Sequence, residues 1–87
     1  MNKRSVKLFI EDIITFFERI EDYIQGFNYK TFKKNQMVID AVIRNLELIG
    51  EAANNIPKEI TDKYKTIPWS DMIGLRIIAA HGTLKWI

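Results

Sequence analysis

The stretch SVKLFIEDIITFFERIEDYI, residues 5–24, decides the fold. Its apolar positions Val6, Phe9, Ile10, Ile13, Phe17, Ile20 and Ile24 recur at steps of three and four, with Glu11, Asp12, Glu18, Arg19, Glu21 and Asp22 between them. That is the period of a helix with one apolar face, about 3.6 residues per turn, and not the two-residue alternation of a strand. Ser5 can accept a backbone N–H as N-cap, and Gly26 can take a left-handed backbone at the far end without Cβ strain. The spacing predicts one long helix from Ser5 to Ile24.

The same period continues along the chain. Phe27 to Lys34 is a short connector with Tyr29 and Phe32 among Lys30, Lys33 and Lys34, the densest positive patch; Thr31 is its candidate cap if it forms a helical turn. From Asn35 to Asn55 the helical period puts Val38, Ile39, Val42, Leu46, Ile49, Gly50 and Ala53 on one side and Asp40, Arg44, Glu47, Glu51 and Asn55 on the other. Pro57 interrupts, and Pro57 to Tyr64 fits a short helix with Ile60 and Tyr64 inward. After a loop at Lys65 to Ile67, Pro68 suits the first turn of a last helix, with Asp71 near its positive end and a stop expected near Gly82. No segment alternates as strands do. The fold class is therefore all-α, an antiparallel up-and-down helical bundle in a single domain over residues 1–87.

Length and composition bound the function. At 87 residues there is no room for a two-domain enzyme, and a chain this short buries only about 60% of its unfolded surface, which favours an oligomer. Apolar residues at 47% and charged residues at 28% fit a globular chain and exclude disorder. With no cysteine there is neither a disulfide framework nor a thiolate metal site, and with one histidine there is no multi-histidine centre, so no metal and no cofactor is expected. The basic opening Asn2-Lys3-Arg4 meets Glu11 and Asp12 after too short an apolar run for a signal peptide, and nothing approaches a membrane span, so the expected location is cytoplasmic. A net charge of +2 is too small to argue nucleic-acid binding by itself.

One constellation carries chemistry: Arg76-Ile77-Ile78-Ala79-Ala80-His81-Gly82. Imidazole can take and give a proton near neutral pH, and guanidinium stays charged and matches phosphate oxygens bidentately. Together they suit phosphodiester cleavage in RNA, where the 2′-hydroxyl is a built-in nucleophile and no metal is needed. Five positions turn an ideal helix by about 140°, so Arg76 and His81 do not share a face on spacing alone. The plainer reading has His81 capping the helix and Arg76 in a surface ion pair.

At this motif the sequence resembles the HEPN superfamily, specifically the HepT-like toxins of HEPN and minimal-nucleotidyltransferase (MNT) toxin–antitoxin pairs. Asp40-Ala41-Val42-Ile43-Arg44-Asn45-Leu46-Glu47-Leu48-Ile49-Gly50-Glu51-Ala52-Ala53 looks like the family's second-helix signature, and Ile67-Pro68-Trp69 followed by Met72-Ile73-Gly74-Leu75-Arg76 looks like its lead into the active helix. The likeness runs over roughly residues 5 to 82. It implies a HEPN-like bundle acting as a metal-independent endoribonuclease in a type VII-like toxin–antitoxin system. Arg76 and His81 become the catalytic pair, lining a cleft between two copies of the chain. It also implies a nucleotidyltransferase antitoxin that adds AMP to a tyrosine two residues after the histidine. Here that position is Thr83, and many members carry a polar residue where this chain has Ile77. The resemblance further implies a helical segment after the motif, so a chain ending at Ile87 is expected to lack the last segment.

Around that pair, Arg44 and Asn45 are candidate RNA contacts at the cleft border, and Lys33 and Lys34 at the connector, where Tyr29 and Phe32 could stack on bases. Each has a plainer reading, as a solvated ion-paired helix face or a soluble connector with core-anchoring aromatics. Gly74, Ala79 and Ala80 suit a close seam between subunits. Two function classes remain: a ribonuclease, and a catalytically silent helical module that dimerises or binds a nucleotidyltransferase.

Overall fold

The structure is a computed structural model and describes residues 5–80. Five helices follow in order: α1 Val6–Ile24, α2 Tyr29–Phe32, α3 Gln36–Asn54, α4 Lys58–Lys63 and α5 Trp69–Ala80, with no strand among the described residues. The expected stop near Gly82 lies outside the described residues.

Local chemistry sets the ends. Ser5 caps α1, its Oγ accepting from the Leu8 N–H at 3.2 Å. Past α1, Gly26 adopts φ of +84°, the left-handed backbone that glycine enters without Cβ strain. The cap of α2 is Asn28 and not Thr31: Asn28 Oδ1 accepts from the Thr31 N–H at 2.9 Å while Thr31 Oγ1 accepts from the Asn28 N–H at 3.0 Å. This reciprocal box needs its two partners three residues apart, so Thr31 serves at the third helical position. Asn35 caps α3 through the Val38 N–H, and α5 begins at Trp69, directly after Pro68.

The bundle is antiparallel, with α3 packed against both α1 and α5. Early α1 residues Phe9 and Phe16 share a groove with Leu48 and Asn55 late in α3, whereas Ile20 and Ile24 late in α1 meet Val42. Ile13, Ile49, Ala52 and Ala53 form the centre, and Phe9, Phe16, Ile20, Trp69, Met72, Ile73 and Leu75 pack around it. Ile49 is fully enclosed, which is worth about 1.5–3 kcal/mol. On α1 the inward aromatic is Phe16; Phe17, expected inside, is 42% exposed. With Ile10, Ile14 and Ile24 it forms an apolar strip facing solvent. Tyr64 is likewise 49% exposed; Lys63 Nζ lies over its ring at 5.6 Å, and its carbonyl accepts from the Trp69 indole N–H at 3.1 Å.

Two residues of α3 have unusual surroundings. Gly50 faces α5 so closely that a Cβ there would sit 2.8 Å from the Arg76 nitrogen, 2.9 Å from the Arg76 Cβ and 3.1 Å from the Met72 oxygen. Asn45, only 5% exposed, donates from Nδ2 to the Ala41 carbonyl at 2.9 Å and leaves Oδ1 without a partner.

Gly50→Ala must push α3 and α5 apart, because the obstructing atoms are largely backbone, and chemical denaturation should show a loss of about 1–3 kcal/mol. Gly74→Ala, where a Cβ would meet nothing within 4 Å, should gain about 0.5–1 kcal/mol from helix propensity. Equal effects of the two substitutions would refute the close approach. Asn45→Leu should cost less than about 1 kcal/mol, since it removes a buried acceptor that has no partner; a loss above about 2 kcal/mol would mean that Oδ1 is satisfied in solution.

Candidate active site

The site is built on α5 where it crosses α3. The crossing at Gly50 holds the Arg76 backbone against α3, so the guanidinium stem leaves a fixed platform. Arg76 is half-buried, and among the described residues no carboxylate, carbonyl or ring engages its guanidinium. The surface ion pair expected on the plainer reading is therefore absent there. A cation held at a helix crossing without a counter-charge keeps its donors available for an incoming anion, and a planar fork of N–H groups suits the oxygens of a phosphate.

Among the described residues, two of the other cations are held in ion pairs. Arg44 pairs with Glu47 one turn along α3, and Gln36 bonds Asp40 at 2.7 Å, so this is the solvated polar face that the sequence allows. Asn45, beside Arg44 in sequence, is buried in the single chain, with its Nδ2 donating to the Ala41 carbonyl. Lys33 lies over the Tyr29 ring with Nζ 5.4 Å from the centroid, and Lys34 is exposed beside it. Lys58 is bonded to Asp62 at 2.7 Å, and that bond raises its pKa above the usual lysine value; both are exposed on α4.

The fold brings these residues to one region only in part. The described contacts of α5 are with the C-terminal half of α3, where Met72 and Arg76 meet Gly50, whereas Arg44 lies in the N-terminal half of α3, after the lysine connector. Arg76 does not touch Arg44, Lys33 or Lys34. His81 and Thr83, the other members of the expected site, lie outside the described residues. The functional residue that sequence reasoning misses is Gly50: the helical period places it on the inner face but says nothing of its service to Arg76. A lone glycine in the middle of an otherwise strong helical pattern is the signal that points to it, because such a residue costs stability unless something approaches closely. Among the described residues no three acidic, histidine or cysteine side chains cluster as metal ligands would, and no helix is long and apolar enough to cross a membrane.

Comparison with known proteins places the chain in a family. A family model described as ribonuclease HepT-like matches residues 13–83. A Methanocaldococcus jannaschii protein provisionally named an RNase is 40% identical over 81 residues, covering 93% of this chain and 74% of its own. A second RNase-named protein of that organism is 41% identical over 81 residues, 93% of this chain and 70% of the relative. A Thermococcus cleftensis protein provisionally named ribonuclease HepT is 39% identical over 79 residues, 91% of this chain and 72% of the relative. No solved structure matches significantly. With the family match extending from α1 past the end of α5, and with relatives near 40% identity over most of both chains, this protein belongs to the HepT-like ribonuclease family.

Proposed function

We propose that the chain is an endoribonuclease that cuts RNA without a metal ion, using Arg76 and His81, and that it is the toxin of a toxin–antitoxin pair. The observation that carries this reading is Arg76, its backbone fixed by the α3–α5 crossing and its guanidinium without a carboxylate partner among the described residues, five residues before the only histidine. Family membership and the RNase names of its relatives support the substrate class.

The chemistry follows from the two groups. The imidazole of His81 removes the proton of a ribose 2′-hydroxyl, whose oxygen forms a bond to the adjacent phosphorus. Charge builds on the non-bridging oxygens, and Arg76 stabilises it with paired N–H donors. The bond from phosphorus to the 5′-oxygen then breaks, and that oxygen leaves with a proton from an imidazolium. The products are a 2′,3′-cyclic phosphate and a 5′-hydroxyl. Delivery and removal of protons on opposite sides of one phosphorus suit two imidazoles, which a homodimer supplies. Arg44, Lys33 and Lys34 hold flanking phosphates, and Asn45 acts from within the bundle rather than on RNA directly.

A nucleotidyltransferase antitoxin completes the pair. Thr83 stands where the resemblance implies the AMP-accepting tyrosine, and its hydroxyl sits on a short β-branched stem, so the antitoxin silences this chain by binding it. The exposed strip Ile10, Ile14, Phe17 and Ile24 favours a second reading, a helical module that only associates.

Purified protein is expected to cleave single-stranded RNA in the presence of a chelator. His81→Ala should lower the rate by about 10²–10⁴-fold and Arg76→Ala by about 10²–10³-fold, with helix content by circular dichroism unchanged. Equal cleavage by wild type and His81→Ala, or cleavage that vanishes in chelator, would exclude the proposal. Mass spectrometry after incubation with the antitoxin and ATP should find Thr83 unmodified; an AMP adduct there would overturn inhibition by binding alone.

A further inference from the structure

Between the end of α1, the connector helix α2 and the first half of α3 lies an open recess of about 330 Å³ that the cleavage chemistry does not use. Its volume is at the small end of ligand-sized pockets. Ile20, Ile24 and Val42 make its apolar floor, and Phe27, Tyr29 and Phe32 contribute aromatic rings. Tyr29 is 54% exposed, so a ring in the wall is open to solvent. At the rim, Asn28 spends its Oδ1 on capping α2, which leaves its Nδ2 donors for other use.

Charge narrows the occupant. The lysines Lys30, Lys33 and Lys34 belong to the same connector, all exposed, while no acidic side chain lines the recess. None of the three lysines lines the recess itself, but Lys33 lies over the Tyr29 ring, and aromatic rings beside exposed cations are the combination that holds single-stranded nucleic acid: ammonium groups follow the phosphates, and a base stacks on an aromatic plane. Apart from Asn28 at the rim the wall is almost wholly apolar, so stacking outweighs the reading of a base edge and tolerates any base. Val42 on the floor is eight residues from Gly50 on α3, about 12 Å along the axis. The recess is thus within reach of one strand that also meets Arg76.

We propose that this recess is a base-binding subsite that takes an unpaired nucleobase of the RNA, without regard to its identity, at a distance from the cleaved bond. The inference rests on the ribonuclease reading for its ligand. It adds a substrate preference to that reading: unpaired strands are favoured over duplex, because a paired base cannot enter.

The test uses the full chain and an oligodeoxyuridylate of roughly ten nucleotides, which lacks the 2′-hydroxyl and stays intact, beside an abasic strand of equal length. The side-chain methyl resonances of Ile20, Ile24 and Val42 should shift with the base-containing strand and not with the abasic one. Tyr29→Ala, at an exposed ring, should weaken binding of the base-containing strand about tenfold and leave abasic binding unchanged. Ile24→Trp, which fills the recess from a partly exposed position, should do the same. Equal affinity for both strands, silent methyl groups, or shifts produced only by an acidic amphipathic peptide would overturn the subsite. Failure here is distinct from failure of the ribonuclease reading: silent methyls beside intact RNA cleavage remove only the recess, whereas base-dependent shifts without cleavage of RNA remove only the enzyme.

Discussion

Everything in this molecule that bears on function depends on how closely α3 and α5 approach. At Gly50 the two backbones come near enough that a single methyl group would collide with Arg76. Close packing lets the inner faces of three helices bury Ile13, Ile49, Ala52 and Ala53 in a chain that has little core to spare. It also fixes the point from which the Arg76 side chain departs. On a helix crossing the Arg76 backbone is already fixed when a phosphate arrives, so only the freedom of the side chain remains to be lost. Stability and chemistry therefore share one contact, and a residue with no side chain provides it.

Much of the architecture is legible in the sequence. Ser5 and Gly26 bracket α1, Asn35 and Asn55 bound α3, and the two prolines separate the shorter helices, because caps and breakers act locally and need no knowledge of the fold. What the sequence does not settle is which of two neighbouring apolar residues turns inward. Phe16 and Phe17 differ by about 100° on α1, and both lie at the border of an apolar arc wide enough to admit either; only the placement of α3 chooses Phe16. Likewise Asn45 reads as a polar surface residue but lies at a buried register position, because the period that buries Val42 and Ile49 carries Asn45 with them. Tyr64 reverses the case: it sits where a short helix has already ended, so its ring faces solvent beside Lys63 while its carbonyl holds Trp69.

The site divides along the same line. The type of chemistry is visible in Arg76 and His81 as residues, since few side chains can move protons and bind phosphate at neutral pH. The state of Arg76 is not visible there. Whether a cation is spent on a neighbouring carboxylate depends on which helices meet, and here Arg44 is spent on Glu47, whereas no carboxylate among the described residues pairs with Arg76. The exposed strip on α1 adds a second unspent resource, apolar surface that water meets at Ile10, Ile14, Phe17 and Ile24. Such a strip is what a chain of this size uses to associate, and association is what a cleft shared by two copies requires.

The most direct measurement of the central claim is the ¹⁵N–¹H resonance of the Arg76 Nε–Hε group during titration with a non-cleavable 2′-deoxy strand. A guanidinium held free for a phosphate should shift and saturate with the strand concentration, and the shift should shrink as salt is raised, because screening weakens charge pairing. An Arg76 resonance that stays in place while the strand binds elsewhere would contradict the account.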